Sequence, residues 1–274
     1  MNNFIKRSLT GILFVIILIS GITLHPYGFY AVFLAITVLG IYEFYNLAEK
    51  SGIQTQKKLG TVTGVILFSS CFLQAISGAT WGFLVLTVFL VASFIRELYR
   101  QKEQPFGNLA YTFLGLIYVG LPFSLMTYLA FPFHDGNFHY ELVLGIFVMI
   151  WANDTGAYVV GVNFGKHRLF ERISPKKSWE GSIGGAIIAL AVAWISSMVC
   201  QDLTLWQWLV VGALVVVFGS LGDLVESLFK RSLDIKDSGN ILPGHGGILD
   251  RFDAVLLAVP MVFVFLQAIK EFMN

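Results

Sequence analysis

Four carboxylates near the C-terminal end of the chain form two pairs with helical spacing. Asp223 and Glu226 are three residues apart, and so are Asp250 and Asp253. Residues three apart share a helix face, so each pair presents two carboxylates in one direction. Four such groups close together would repel one another and stay partly protonated unless cations lay between them. Oxygen ligands without cysteine suit Mg²⁺, so all four are candidate metal ligands.

A basic, glycine-bearing stretch lies between the two acidic pairs. Gly246 and Gly247 follow His245 and let the backbone bend closely around an anion, with its N–H groups turned inward. His245 either donates a hydrogen bond to a phosphate or braces the loop. The neighbouring basic residues, which would neutralise phosphate charge, are Lys230, Arg231, Lys236 and Arg251. The structural alternative is that Lys230, Arg231 and Arg251 form salt bridges to the acidic pairs while Asp250 and Asp253 support a helix dipole.

A second charged segment reads ISPKKSWEGSIGG. Ser174 followed by Pro175 predicts a helix N-cap with proline at the first helical position. Lys176 and Lys177 would then lie in the first turn, where they oppose the helix dipole, a cost that a bound anion would offset. The pattern therefore predicts a phosphate site at a helix N-terminus, with anchoring on the cytoplasmic side of a membrane as the alternative.

Asp154, preceded by Asn153, lies more than one turn inside an apolar run. It is a further candidate metal ligand, a lysine partner or a structural hydrogen-bond acceptor, and the sequence does not choose between these roles. The segment GVNFGK that follows, residues 161–166, is one residue short of the GxxxxGK[ST] phosphate loop and precedes His167. It is not a nucleotide P-loop.

The composition places these groups in a membrane protein. Hydrophobic residues make up 56% of the chain and charged residues 13%, compared with about 25% charged in soluble domains. The only two cysteines, Cys71 and Cys200, both lie in apolar runs and are too few for a disulfide framework or a cysteine metal cluster. Lys6 and Arg7 precede an apolar run that no small-residue cleavage site follows, so we expect a retained first span rather than a signal peptide.

A membrane span needs about 20 mostly apolar residues, and nine stretches qualify. They are Leu9–Leu24, Gly28–Ala48, Leu59–Ile76, Trp81–Ile95, Leu109–Ala130, Glu141–Val160, Ser182–Cys200, Leu205–Phe229 and Asp250–Phe272. If the segments outside these spans are numbered from zero, every Lys and Arg except Lys270 falls in an even-numbered segment or, for Arg251, at the border of one. The positive-inside rule then places the N-terminus in the cytoplasm and the C-terminus on the opposite side.

The predicted fold is therefore an all-α integral membrane protein of about nine transmembrane helices, forming a single polytopic domain over residues 1–274. Residues 1–140 form a five-helix N-terminal part of unassigned role, whose spans carry almost no acidic residues. Residues 141–274 form the catalytic part, with cytoplasmic loops at 161–181 and 230–251. An ionisable group in or beside a span is costly and by default indicates function, which directs attention to this second part.

The stretch from Ser227 to Asp253 resembles the phosphatidate cytidylyltransferase (CDP-diglyceride synthase) family. It satisfies every fixed position of that family's signature, S-x-hydrophobic-K-R-x4-K-D-x-small-x2-hydrophobic-[PGS]-x-H-G-G-hydrophobic-x-D-R-x-D. SPKKSWEG and WANDTGAY also look like family motifs, so the resemblance covers about residues 151–253, and the first five spans match only in hydropathy. One departure is Val162, where the family pattern has Arg, and Lys166 or Arg168 is then the candidate replacement.

The resemblance implies the reaction CTP + phosphatidate → CDP-diacylglycerol + pyrophosphate. It also implies dependence on Mg²⁺, a second and monovalent cation such as K⁺, a homodimer, and no nucleic-acid partner. A bacterial-type inner membrane with the active site facing the cytoplasm is the expected location. The residues assigned to catalysis are Asp223, Asp250, Lys230, Arg231, His245 and Asp253. Those assigned to substrate phosphates are Ser174, Lys176, Lys177, Ser227, Lys236, Gly246, Gly247 and Arg251. The metal ligands are Asp223, Asp250, Glu226 and Asp253, with Asp154 as a further candidate.

Three alternatives stand beside this interpretation. An ion-coupled transporter would use Asp154, Asp223 and Asp250 to carry cations, but the carboxylates other than Asp154 lie at one membrane face rather than at the midplane. A CDP-alcohol phosphatidyltransferase would carry D-x2-D-G-x2-A-R…G-x3-D-x3-D, which is absent. A cytidylyltransferase for an ether- or isoprenoid-linked phosphatidate would contact the lipid tails through its early spans, which carry no motif that identifies the lipid.

Overall fold

The structure is a computed structural model that describes residues 3–132, 137–233, 235, 238–239 and 246–273, without the side chains of residues 3–8 and 272–273. Its elements are α1 (Asn3–Thr23), α2 (Pro26–Lys50), α3 (Lys57–Ser77), α4 (Trp81–Arg100), α5 (Pro105–Gly115), a π-helical segment (Leu116–Gly120), α6 (Leu121–Ala130), α7 (Tyr140–Phe164), β1 (Arg168–Phe170), β2 (Ser174–Ser178), α8 (Trp179–Val199), α9 (Leu205–Ser232) and α10 (Leu249–Met273).

Eight helices among the described residues are long and apolar enough to cross a membrane, counting Pro105–Ala130 as one continuous helix. The shorter apolar stretch Leu9–Thr23 in α1 supplies the ninth. This confirms the predicted all-α membrane class of about nine helices, with one β-hairpin as the exception. The helix ends follow local chemistry. Pro26, for example, opens α2 after His25, whose ring accepts a hydrogen bond from the Tyr27 N–H at 3.2 Å.

The contacts divide the chain into two compact units, the first of which contains residues 1–138 and 233–252. Its interior is aromatic: Phe29, Phe33, Phe68, Phe123 and Phe252 are fully buried. Several of its rings meet edge to face. Phe123 and Phe252, for example, have ring centroids 5.5 Å apart. The described residues of the segment 233–252, which the sequence groups with the C-terminal part, therefore pack with the first spans.

The first unit also contains a buried polar network around Glu97 in α4, which is 4% exposed. Its carboxylate accepts hydrogen bonds from the Gln56 amide at 2.7 Å, the Arg100 guanidinium at 2.8 Å and the Asn108 amide at 3.1 Å. A buried charge persists where it is paired and hydrogen-bonded, and these three side chains provide the donors, one of them cationic. The network ties the α2–α3 connection to α4 and α5.

The second unit contains residues 139–232 and 253–274. Its α7 and α8 pack through glycines, because a Cβ on Gly185 would lie 2.5 Å from the Asn153 carbonyl oxygen, and one on Gly181 would lie 2.8 Å from the Ala157 carbonyl oxygen. Small residues at such positions let two membrane helices approach closely. Between α7 and α8 runs the antiparallel hairpin β1–β2, in which Arg168 faces Ser178 and Phe170 faces Ser174.

The predicted helix start at Ser174 is wrong. Residues 174–178 form strand β2, and α8 begins at Trp179 after Ser178, whose backbone is extended and whose hydroxyl accepts a hydrogen bond from the Gly181 N–H at 3.2 Å. The later start suits the helix dipole better, because Glu180 rather than the two lysines then occupies the first turn. Lys176 and Lys177 consequently lie on a strand.

Candidate active site

The C-terminal end of α9 carries the first acidic pair as the spacing predicted. Asp223 and Glu226 lie on one helix face, and the Ser227 hydroxyl donates to the Asp223 carboxylate at 3.3 Å. The Lys230 ammonium lies 2.5 Å from the Glu226 carboxylate, one turn further on, and that carboxylate is 1% exposed. A salt bridge of this kind is what the structural alternative expected for Lys230.

Asp253 joins this pair from the first turns of α10. One ligand oxygen from each of Asp223, Glu226 and Asp253 lies within 4.8 Å of the others. The close approach depends on Gly222, because a Cβ there would lie 2.4 Å from the Asp253 carbonyl oxygen. Three carboxylates at this spacing can share one divalent cation, and an oxygen-only donor set suits Mg²⁺.

Lys177 links the hairpin to the acidic cluster. Its ammonium lies 2.5 Å from the Asp223 carboxylate and 3.4 Å from the Ser220 carbonyl oxygen. The two side chains are 27% and 36% exposed, so the pair remains open to solvent on one side. The repulsion expected between the carboxylates is therefore offset in part by the ammonium groups of Lys177 and Lys230.

A cleft of about 300 Å³ opens beside this ion pair. Both lysines of β2, three polar residues of α7 and the acidic end of α9 contribute to its wall. The lining side chains with charge or hydrogen-bonding capacity are Asn153, Asp154, Tyr158, Lys176, Lys177, Ser178, Ser182, Ser220 and Asp223. The structure thus brings Asp154, Lys176, Lys177 and Asp223 to one cavity within the second unit, as a phosphate site near a cation would require.

Further predicted residues lie in the loop before α10 and in the first turn of that helix, within the first unit. Asp250, in the first turn of α10, accepts hydrogen bonds from the Ser238 N–H at 3.1 Å and the Gly247 N–H at 2.9 Å. The Gly247 N–H therefore faces a carboxylate of its own loop. Gly246 has a φ of 82°, which glycine alone adopts without strain. Lys236 and His245 lie outside the described residues.

Three further predicted residues are not among the described residues that line the cleft. Arg231 and Arg251 are exposed, and Ser174 is half-buried at the beginning of β2, beyond the part of the cleft that the described residues line. Val162, which stands where the family pattern has Arg, is 68% exposed.

Glu43 in α2 is the residue that the sequence analysis missed. It is 2% exposed and accepts hydrogen bonds from the Ser238 hydroxyl and from the Ile248 N–H at 2.8 Å. A signal for it was present, because it is an ionisable residue well inside an apolar run, and such residues indicate function by default. The nearly acid-free character of the early spans concealed it.

The fold and the cleft together define a polytopic membrane protein in which acidic and basic side chains from three elements meet in one cavity. Comparison with known proteins identifies its family. The chain belongs to the Cytidylyltransferase family, whose model matches residues 5–269. This confirms the predicted family. It also confirms the predicted class of enzyme, because a cytidylyltransferase is a nucleotidyltransferase.

The chain is also similar to individual bacterial proteins named Phosphatidate cytidylyltransferase. The one from Haemophilus influenzae is 32% identical, over 95% of this chain and 97% of the relative. The one from Staphylococcus aureus is 38% identical, over 67% of this chain and 68% of the relative. The one from Staphylococcus saprophyticus is 41% identical over 59% of this chain, and the match spans only 60% of that relative's length.

Proposed function

We propose that this protein transfers the cytidylyl group of CTP to phosphatidate, giving CDP-diacylglycerol and pyrophosphate, as the names of its relatives suggest. The observation that carries the proposal is the meeting of Lys177 with Asp223 in a cleft beside Glu226 and Asp253. A reaction between two phosphates needs both cationic groups for the phosphates and carboxylates for a metal ion.

In this reaction an oxygen of the phosphatidate phosphate forms a bond to the α-phosphorus of CTP, and the bond from that phosphorus to the oxygen that bridges it to the β-phosphorus breaks. The attacking phosphate monoester is already anionic near pH 7, so it needs no strong general base. Catalysis then depends on positioning and charge neutralisation. Lys176 and Lys177 hold phosphate oxygens in the cleft, and Lys230, Arg231, Lys236 and Arg251 are the further candidates for this role.

Asp223, Glu226 and Asp253 would hold Mg²⁺. One oxygen from each carboxylate lies within 4.8 Å of the others, which fits a small cation with oxygen ligands. Bound there, the ion supplies positive charge to the phosphate oxygens and to the leaving pyrophosphate. Asp250, one helical turn before Asp253 in α10, stays a predicted ligand, and so does Asp154. The monovalent cation and the homodimer stay predictions from the family resemblance.

The protein works in a cell inner membrane, with the cleft on the cytoplasmic side. The distribution of Lys and Arg supports this orientation. CTP is a cytosolic nucleotide, whereas phosphatidate enters sideways from the bilayer, so a site at the cytoplasmic ends of the helices serves both substrates.

The purified protein in detergent is expected to convert CTP and phosphatidate to CDP-diacylglycerol only when Mg²⁺ is present. Asp223→Ala and Asp250→Ala should each lower kcat by more than about 100-fold, beyond the 10–100-fold typical of residues that merely support metal ligands. Asp202→Ala is the matched control, since Asp202 lies just before the opposite end of α9. Product is quantified by mass spectrometry.

Full activity in both variants would contradict the roles of Asp223 and Asp250. A parent protein that is inactive with every divalent ion would contradict the proposed reaction. Activity of the parent with another lipid phosphate but not with phosphatidate would instead change the substrate and leave the site assignment intact.

A further inference from the structure

Glu43 caps a helix that lies far from it in the sequence. It lies near the C-terminal end of α2, about 200 residues before α10 begins. One of its carboxylate oxygens accepts from the Ile248 N–H at 2.8 Å, and the other faces the Leu249 N–H at 3.4 Å. These donors belong to the start of α10, where the first N–H groups of a helix have no partner within it.

The cap comes from another helix because the local sequence cannot provide it. Ile248 occupies the position just before α10, where Ser, Thr, Asp or Asn would normally accept from the first turn. An isoleucine side chain has no acceptor. The negative charge of Glu43 is also placed where the positive end of the helix dipole favours it.

The loop before α10 is shaped around this carboxylate. The Ser238 hydroxyl donates to it, and a Cβ on Gly247 would lie 1.8 Å from one of its oxygens. A Cβ on Gly239 would lie 3.1 Å from its carboxyl carbon. Any side chain at 247 would therefore displace Glu43 or the loop. The signature therefore needs a glycine at 247 because a protein carboxylate, rather than a substrate phosphate, occupies the adjacent space.

The same loop holds Asp250. Ser238 contacts both carboxylates, since its hydroxyl donates to Glu43 and its N–H donates to Asp250. The Gly247 N–H donates to Asp250 at 2.9 Å, and Gly247 also packs against Glu43. The position of Glu43 thus determines the position of the two backbone donors that orient the Asp250 carboxylate.

We propose that Glu43 is a positioning residue for cytidylyl transfer, which holds the signature loop and the start of α10 so that Asp250 keeps its working orientation. This inference rests on the proposed function, because Asp250 matters only if it serves that reaction. It assigns a role to the N-terminal spans, which the signature does not cover.

The test compares Glu43→Gln, Glu43→Asp and Glu97→Gln with the parent protein in detergent. Glutamine keeps the shape of Glu43, but one of its ends donates instead of accepting, so it cannot serve Ser238, Ile248 and Leu249 together. Glu97→Gln is the matched control, since Glu97 is similarly buried in the same unit and binds side chains of the α2–α3 connection, α4 and α5. Activity is measured per folded molecule.

In Glu43→Gln, kcat should fall about 10–100-fold and the Mg²⁺ concentration for half-maximal activity should rise, as for the loss of a residue that orients a ligand. The KM for CTP should change by less than about threefold, because the lysines of the cleft are untouched. Glu43→Asp should recover part of kcat. Glu97→Gln should lower the melting temperature and leave kcat and the Mg²⁺ dependence as in the parent.

Hydrogen exchange gives a readout that is independent of activity. In Glu43→Gln the amides of residues 246–252 should exchange faster, whereas in Glu97→Gln they should exchange as in the parent. If Glu43→Gln does not fold, Ser238→Ala removes one donor to Glu43 and carries the same test with a smaller expected change.

Parent-like kcat and Mg²⁺ dependence in Glu43→Gln would overturn the inference, and so would unchanged exchange in residues 246–252. A parent that never forms CDP-diacylglycerol would instead overturn the proposed function. The exchange measurement would then still decide whether Glu43 holds the loop.

Discussion

Two carboxylate clusters among the described residues are neutralised in different ways. In the cleft of the second unit, Asp223 pairs with the Lys177 ammonium and remains 36% exposed. In the first unit, Glu43 of α2 is 2% exposed and is bound by backbone N–H groups and a hydroxyl of the loop before α10. Side-chain ammonium groups can move away when a metal or a phosphate arrives, whereas backbone donors at a helix start cannot move without unfolding it. The first cluster is thus suited to binding and the second to holding shape.

This comparison predicts that changes in the loop reduce both stability and activity, while changes in the cleft reduce activity alone. Exposed ion pairs contribute little to stability. Buried carboxylates that lose their partners, or are displaced by a new atom, cost much more.

The largest effect is expected from Gly247→Ala. Its Cβ would meet the Glu43 carboxylate at 1.8 Å and the Ser238 hydroxyl at 2.1 Å, so the loop must shift. We expect destabilisation at or above the upper end of the roughly 1–3 kcal/mol that overpacking costs, and loss of most activity. Melting temperature and turnover in detergent measure the two effects. Gly28→Ala in α2 is the control, because a Cβ there meets its nearest atom at 4.0 Å.

A stable and active Gly247→Ala would break the comparison, since it would mean that the loop does not depend on the contact with Glu43. A variant that is stable but inactive would shift the role of Gly247 towards the substrate.

Lys177→Met should have an intermediate effect confined to activity. The change removes the ammonium beside Asp223, and we expect the KM for CTP to rise about tenfold, near the lower limit for a charged hydrogen bond. The melting temperature should stay within about 1–2 °C of the parent because the pair is partly exposed. Steady-state kinetics and thermal melting provide the measurements, with the exposed Lys50→Met in α2 as the control.

A large drop in melting temperature in Lys177→Met, with KM unchanged, would contradict the assignment of this lysine to binding. The ion pair with Asp223 would then be a structural contact like those of Glu97.

The smallest effect is expected from Ser178→Ala. It removes the hydroxyl that accepts a hydrogen bond from the Gly181 N–H at the start of α8. The free energy of unfolding should fall by about 1 kcal/mol. Ser174→Ala, at the position where the sequence predicted the cap, should leave the melting temperature unchanged. The reverse result would return the helix start to Ser174 and contradict the β-hairpin.

The fold was largely predictable because the spans respond to a strong and local requirement. A helix that crosses lipid needs a long apolar run, and each predicted run coincides with an observed helix to within a few residues at most ends. The helix α8 is the instructive exception. Ser174 and Ser178 are both chemically able to cap it, and the pairing of β2 with β1 decides between them.

The candidate site was predictable where its parts share one helix. The spacing of Asp223, Glu226, Ser227 and Lys230 alone places them on one stripe, and their mutual hydrogen bond and salt bridge follow. The partners from other elements were not predictable in this way. The sequence suggested phosphate for both Lys177 and the Gly247 N–H, but the structure places a carboxylate beside each.

The sequence by itself determined the membrane class, the positions of the helices and the acidic stripe of α9, because apolar length and helical periodicity act within one segment. Only the tertiary structure decided that Lys177 meets Asp223, that Gly222 lets Asp253 approach, and that Glu43 caps α10. These contacts join residues about 30 to 200 positions apart, and their geometry depends on how separate helices pack. No local sequence pattern encodes that packing. In the sequence Glu43 lies within an apolar run, and only the fold shows that its carboxylate caps a distant helix.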